Sequence, residues 1–161
     1  QRRKFLSFSA IGAMGLLSQH VLAKQVCALT PEQTEGPFYP IEDQLDKNND
    51  LTVLLNSNTR AEGRIVVVQG VVRDLDCEPV AGVLVEIWQA CHSGRYNHPG
   101  DPNPAPLDPH FQYWGECMTN VKGEYSFKTI QPGSYPATDS WTRPPHIHFK
   151  ATKRGFHELT T

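Results

Sequence analysis

Apolar and polar positions along this chain recur with a period of two wherever they are periodic at all. Ile65 to Asp74 (IVVVQGVVRD) is dense in β-branched residues, and Val83 to Trp88 sets Val83, Val85 and Ile87 against Leu84, Glu86 and Trp88. Both segments read as strands, because β-branched side chains suit a pleated surface and successive residues face opposite sides of a sheet. Gly123 to Ile130 and His146 to Thr152 repeat the pattern, and Phe156 to Thr161 begins another strand. No segment after residue 24 keeps an apolar helical period for three turns. The expected fold is therefore all-β, a two-sheet β-sandwich with long irregular loops over residues 65–161, with further C-terminal strands expected beyond Thr161.

Two stretches lack any period. Residues 24–64 read as an N-terminal arm and linker, with a stiff GPFYP core in which Pro37 and Pro40 fix their own φ and push the preceding residues towards extended geometry. Cys91 to Trp114 holds five prolines in 24 residues. That is too many for regular structure, and a loop of this length usually carries function.

The first residues differ from the rest. Arg2, Arg3 and Lys4 precede FLSFSAIGAMGLL, which is diluted by Ser and Gly and shorter than the ~20 residues a membrane span needs. With the small-residue site Val21-Leu22-Ala23, residues 1–23 read as an export signal, and the adjacent arginines give it the twin-arginine form. The expected destination is the periplasm or the extracellular space, with no membrane attachment of the mature form. Removing the three leader cations from 15 Lys+Arg leaves 12 against 17 Asp+Glu, a net charge of −5. A surface with no excess of cations excludes nucleic acid as a partner. Cys27, Cys77, Cys91 and Cys117 all follow the leader, where disulfides can form, but their spacing does not choose among the pairings or against free thiols.

Candidate chemistry gathers in Arg143-Pro144-Pro145-His146-Ile147-His148-Phe149. On a strand, residues i and i+2 share a face, so His146 and His148 are expected side by side as a donor pair for zinc, copper or iron. Hydrogen-bonded histidines with no metal carry the same pattern. There is no HExxH, no HxHxDH and no carboxylate beside the pair, so a zinc hydrolase lacks its third ligand and its base. Tyr96 in SGRYNHPGD and Tyr135 in QPGSYP sit in turns that can aim a phenol inward, although half-buried packing tyrosines look the same.

TEGPFYP, PVAGVLVEIWQACHSGRYNHPGD, PLDPHFQYWGECMTNVKGEYSFKTIQPGSYP and WTRPPHIHF follow one another in this chain. Together they resemble the intradiol ring-cleavage dioxygenases, most closely the protocatechuate 3,4-dioxygenase type, over roughly residues 30–152. The resemblance implies a prealbumin/immunoglobulin-like sandwich and a mononuclear non-haem Fe(III) held by Tyr96, Tyr135, His146 and His148. Two phenolates and a hydroxide neutralise a 3+ ion, and hard anionic oxygens favour the ferric state. It implies cleavage of a catechol-type ring by O2 between the hydroxyl-bearing carbons, giving a cis,cis-muconate-type product. Tyr135 is then the ligand that leaves and takes a substrate proton, Tyr96 stays, and Arg143 stabilises negative charge developing on the ring. Gly36 and Pro37, in the GPF turn of the arm, are implied to line the substrate pocket, where covering a sheet edge is the plainer role.

The chain departs from that type at Ala137, where Trp is common, and a glutamine that supports the ligands is expected beyond Thr161. Two other readings stay open. GVVRDLDCEPVAGVLVEIW also looks like the prealbumin-like strands of secreted, non-catalytic binding modules, which have no reason to bring two Tyr and two His together. A copper or zinc site on the His pair alone leaves both tyrosines as bystanders. The choice among catechol, protocatechuate and hydroxyquinol, and any homo-oligomer, are not set by these residues. The leader gives a first prediction: replacing Arg2 and Arg3 by Lys keeps the protein in the cytoplasm on cell fractionation, whereas unchanged delivery contradicts the twin-arginine route.

Overall fold

The computed structural model describes residues 27–161 apart from Asp139, so the expected leader, with Arg2 and Arg3, lies outside the described residues. Eight strands and no helix make up the regular structure of the described residues: β1 Ile65–Val71, β2 Leu84–Trp88, β3 Trp114–Met118, β4 Glu124–Ile130, β5 Tyr135–Thr138, β6 Trp141–Arg143, β7 His148–Thr152 and β8 Leu159–Thr160. An antiparallel sheet runs in the order β3-β2-β7-β8, while β1 pairs with β4 and β5 with β6. Val83, Val85 and Ile87 pack with Phe127 and Ile130 of β4 in one buried cluster, joined by Leu51 and Ala61 from ahead of β1. This is the all-β sandwich expected from the alternation.

Strand β2 is buried on both faces. Val85 and Ile87 face the sandwich core, whereas Glu86 and Trp88 point the other way, and Trp88 joins a second buried cluster with Ala90, Tyr96, Trp114 and Tyr135. The period-two pattern of VLVEIW is thus two apolar layers rather than one layer and a wet face.

Local signal misses three strands and misplaces the start of a fourth. Trp114–Met118 pairs along β2, with Trp114 opposite Trp88 and Cys117 opposite Val85, although Gly115 and Glu116 hide the alternation. Strands β5 and β6 are too short to carry a period, and they form because they pair with each other. The strand expected from His146 begins at His148, and His146 lies in the irregular segment before it. Pro144 and Pro145 have no N–H to offer a ladder, which delays the pairing.

The arm lies across the second face. A Cys27–Cys77 disulfide fixes its start to the β1–β2 connection, and Cys91 and Cys117 remain free thiols. Farther along, Gln33 N–H donates to the Thr160 carbonyl at 2.8 Å, Lys150 pairs with Glu35 at 2.6 Å, and the Tyr39 hydroxyl donates to Glu86 at 3.0 Å. Trp114 Nε1–H donates to the same Glu86 oxygen at 3.2 Å, so this buried carboxylate is satisfied from the arm and from β3. Burial and the Glu86 charge push the Tyr39 hydroxyl up to about 12, which keeps it a donor.

The two loops that carry Tyr96 and Tyr135 meet backbone to backbone. Gly133 N–H donates to the Cys91 carbonyl at 2.9 Å, and a Cβ at Gly133 would collide with the His92 carbonyl and the Gly94 amide. Only hydrogen at that position lets the loops approach so closely. Gly133→Ala is expected to cost about 3 kcal/mol in denaturant unfolding, at the upper end for overpacking. At Gly155, where nothing lies within 4 Å and only a φ of +87° opposes a side chain, the same change is expected to cost about 1 kcal/mol. Equal losses at the two positions would contradict this packing.

Candidate functional site

His148 opens β7 opposite Trp88 of β2 and lies flat against the indole, with ring centroids 4.8 Å apart and planes 6° from parallel. His146 reaches the same place from outside the strand, its ring 4.8 Å from that of His148. Its Nδ1 lies 2.8 Å from the Pro144 carbonyl. A carbonyl only accepts, so Nδ1 carries the proton and Nε2 keeps its lone pair. That Nε2 is 3.2 Å from the Tyr96 hydroxyl, which donates to it.

Tyr96 arrives from the proline-rich loop and Tyr135 from the first residue of β5. Both are buried, with ring centroids 5.6 Å apart in an edge-on arrangement. Tyr96 lies 6.3 Å from the His148 ring, and Tyr135 lies 5.8 Å from that of His146. Arg143 is paired directly opposite Tyr135 across the β5–β6 hairpin and is half-buried. The four donors and the arginine singled out in the sequence are therefore brought together.

The electrostatics suit lone-pair donors. Burial, with the neighbouring His146 and the Arg143 guanidinium, lowers His148 to about 4. Burial, with Arg143 behind it and against the opposing Pro144 bond, also lowers His146. Burial and the adjacent Tyr135 push the Tyr96 phenol far above its ordinary range. The imidazoles are neutral at ordinary pH, and the Tyr96 phenol ionises only if a cation is close by.

The arm closes one side. The position of a side chain on Gly36 would be 3.5 Å from His148 Cε1, so Gly36 sits against the histidine, and Pro37 beside it is exposed. Phe38, next in line, lies 4.8 Å from the Tyr96 ring, 5.7 Å from His98 and 6.2 Å from Tyr135. Sequence reasoning stopped at Gly36 and Pro37 and missed Phe38, whose signal was its place within the stiff GPFYP segment. It also missed Trp88 as the platform for His148, and Asp101, a buried carboxylate that accepts the Tyr96 N–H. Ala137 is exposed on β5. Among the described residues no three His, Cys, Asp or Glu side chains gather to hold a metal ion, so a metal at this place depends on the phenols.

Comparison with known proteins bears on this arrangement. The family described as "Dioxygenase" matches residues 34–161. The chain is 46% identical over 117 residues to the protocatechuate 3,4-dioxygenase beta chain of Burkholderia cepacia, covering 71% of this chain and 49% of that one. It is 31% identical over 152 residues to catechol 1,2-dioxygenase 2 of Acinetobacter lwoffii, covering 82% and 50%. The chain thus spans about half the length of these curated relatives. Among solved structures, the dioxygenase domain of a dioxygenase carbohydrate-binding protein fusion from Streptomyces sp. SirexAA-E superposes with a TM-score of 0.61 at 32% identity, over 82% of this chain and 71% of that one. An intradiol ring-cleavage dioxygenase from Tetranychus urticae gives a TM-score of 0.61 at 29% identity, over 83% and 64%. Matching in sequence motifs, in fold and over most of its length, the chain belongs to the intradiol ring-cleavage dioxygenase family.

Proposed function

We propose that this chain carries the ferric site of an intradiol dioxygenase of the protocatechuate 3,4-dioxygenase type, which uses O2 to open a catechol-type ring between its hydroxyl-bearing carbons. One ring C–C bond and the O–O bond break, two C–O bonds form, and both oxygen atoms end in a cis,cis-muconate-type dicarboxylate. The observation that carries this reading is the meeting of buried Tyr96, Tyr135 and His148 with half-buried His146 in one group, with Arg143 beside it. With the expected leader, the reaction takes place outside the cytoplasm.

The donor set fits Fe(III). Both imidazoles are held neutral, and His146 presents Nε2 because its other nitrogen is committed to Pro144. Two phenolates cancel two of the ion's three charges, and the buried Tyr96 phenol ionises only beside such a charge. Held by these four residues, a ferric ion would supply Lewis acidity to activate a catechol-type ring towards O2.

Side chains do the remaining work. Tyr96 is bonded at its hydroxyl to His146 and at its N–H to Asp101, and the resemblance to the family makes Tyr135 the phenol that leaves and accepts a substrate hydroxyl proton. The Arg143 guanidinium faces the negative charge that builds on the ring. Phe38 above Tyr96 and Trp88 behind His148 keep water from the donors.

Oxygen uptake by the Fe(III)-loaded chain with catechol, protocatechuate and hydroxyquinol, with the product followed in the ultraviolet, is expected to show one O2 consumed per ring opened. No uptake by protein that holds one iron per chain contradicts the reading. Among variants, His148→Ala loses iron, while Tyr135→Phe keeps iron and loses most of its turnover. Arg143→Ala keeps both iron and the visible phenolate-to-iron absorption and falls in kcat by about 100- to 1,000-fold, or about 2.7–4 kcal/mol. Iron loss in Arg143→Ala together with full turnover in Tyr135→Phe reverses these roles.

A further inference from the structure

Three of the four candidate donors are held by pairing or by an immediate neighbour. The main chain of Tyr135 is paired opposite Arg143 on the β5–β6 hairpin and that of His148 opposite Trp88 in the main sheet, and His146 is held by its bond to Pro144. Tyr96 has no strand to hold it. It sits in the loop that contains Pro99, Pro102, Pro104, Pro106 and Pro109, which have no N–H with which to build a ladder.

A carboxylate takes the place of that ladder. Asp101, only 8% exposed, accepts the Tyr96 N–H on Oδ2 at 2.7 Å and the Asn103 N–H on Oδ1 at 2.9 Å. Its own N–H donates to the His98 carbonyl at 3.0 Å, and Asn103 Nδ2 donates back to the Gly94 carbonyl at 3.0 Å. One carboxylate therefore ties the outgoing and returning limbs of the loop together around Tyr96. Charge-assisted bonds of this kind are stronger than neutral ones. An asparagine in the same place would turn an NH2 group towards a main-chain N–H, because only a carboxylate of this size offers two oxygens free of hydrogen.

We infer that Asp101 is a positioning residue for Tyr96, fixing its main chain so that the phenol stays aimed at His146 and His148. The inference rests on the ligand set proposed above and adds to it a residue that touches neither metal nor substrate. Groups that orient a metal ligand commonly carry about 10- to 100-fold in metal affinity or activity.

Asp108 supplies the comparison. It is buried, lies on the same loop, and caps two main-chain N–H groups in the same way, Glu62 at 2.7 Å and His110 at 2.9 Å, without touching Tyr96. In Fe(III)-loaded Tyr135→Phe protein, any visible phenolate band comes from Tyr96 alone. Adding Asp101→Asn is expected to shift or weaken that band and to speed loss of iron to a chelator about 10- to 100-fold, while adding Asp108→Asn leaves both unchanged. No change with Asp101→Asn, or an equal change with Asp108→Asn, overturns the inference and leaves the ligand set standing. Absence of any phenolate band in the Tyr135→Phe protein shows that Tyr96 is not a ligand and overturns both. If Asp101→Asn does not fold, amide hydrogen exchange at Tyr96 in the unsubstituted chain decides. Strong protection is expected, and exchange at the rate of an open loop overturns the inference.

Discussion

The antiparallel pairing of β2 with β7 sets Trp88 opposite His148 and Ile87 opposite Phe149. Because successive side chains on a strand face opposite ways, a slip of one residue would turn His148 into the sandwich core and Phe149 out beneath the arm. The core would gain a polar ring with no partner, and the indole would lose its stacked imidazole. Apolar burial on one face of β2 therefore specifies where the histidine stands on the other.

On that second face the order is made by irregular chain. The arm is tied at Cys27–Cys77, at Glu35–Lys150 and at Tyr39–Glu86, and between these ties it lays Gly36 against His148 and Phe38 over Tyr96. The two non-covalent ties are modest, since partly exposed ion pairs contribute little and a net hydrogen bond is worth about 1 kcal/mol. Their effect is geometric, because they hold a segment without secondary structure over a group of donors. Opposite the arm, the glycine contact at 133 brings the tyrosine loops together, and Asp101 fixes one of them.

Much of this was legible in the sequence, for unequal reasons. The sandwich followed from alternation at Ile65–Asp74 and Val83–Trp88, which needs no long-range information. The His pair was read as neighbours on one strand, yet His146 precedes β7, and it is the proline-bound turn that brings its ring to 4.8 Å from His148. Tyr96 and Tyr135 stood out by their turns, but only the motif resemblance separated them from packing tyrosines, because their approach depends on two loops packing and no local period records that. Trp88 stood in plain view as one member of an alternating strand. Its role as a platform was hidden because a face carrying Glu86 looks exposed until Tyr39 and Trp114 are seen to satisfy that carboxylate. Strand β3 was missed for a similar reason, since Gly115 and Glu116 acquire their meaning only from the partner strand.

In the proposed function, two phenols and two imidazoles, brought together by this register and these loops, hold one ferric ion. Iron-edge anomalous diffraction from crystals of the Fe(III)-loaded chain tests it most directly. A single strong peak is expected, enclosed by the hydroxyl oxygens of Tyr96 and Tyr135, Nε2 of His146 and a ring nitrogen of His148, each about 2 Å away. A peak elsewhere on the chain, or either tyrosine turned to solvent with iron bound, would contradict it.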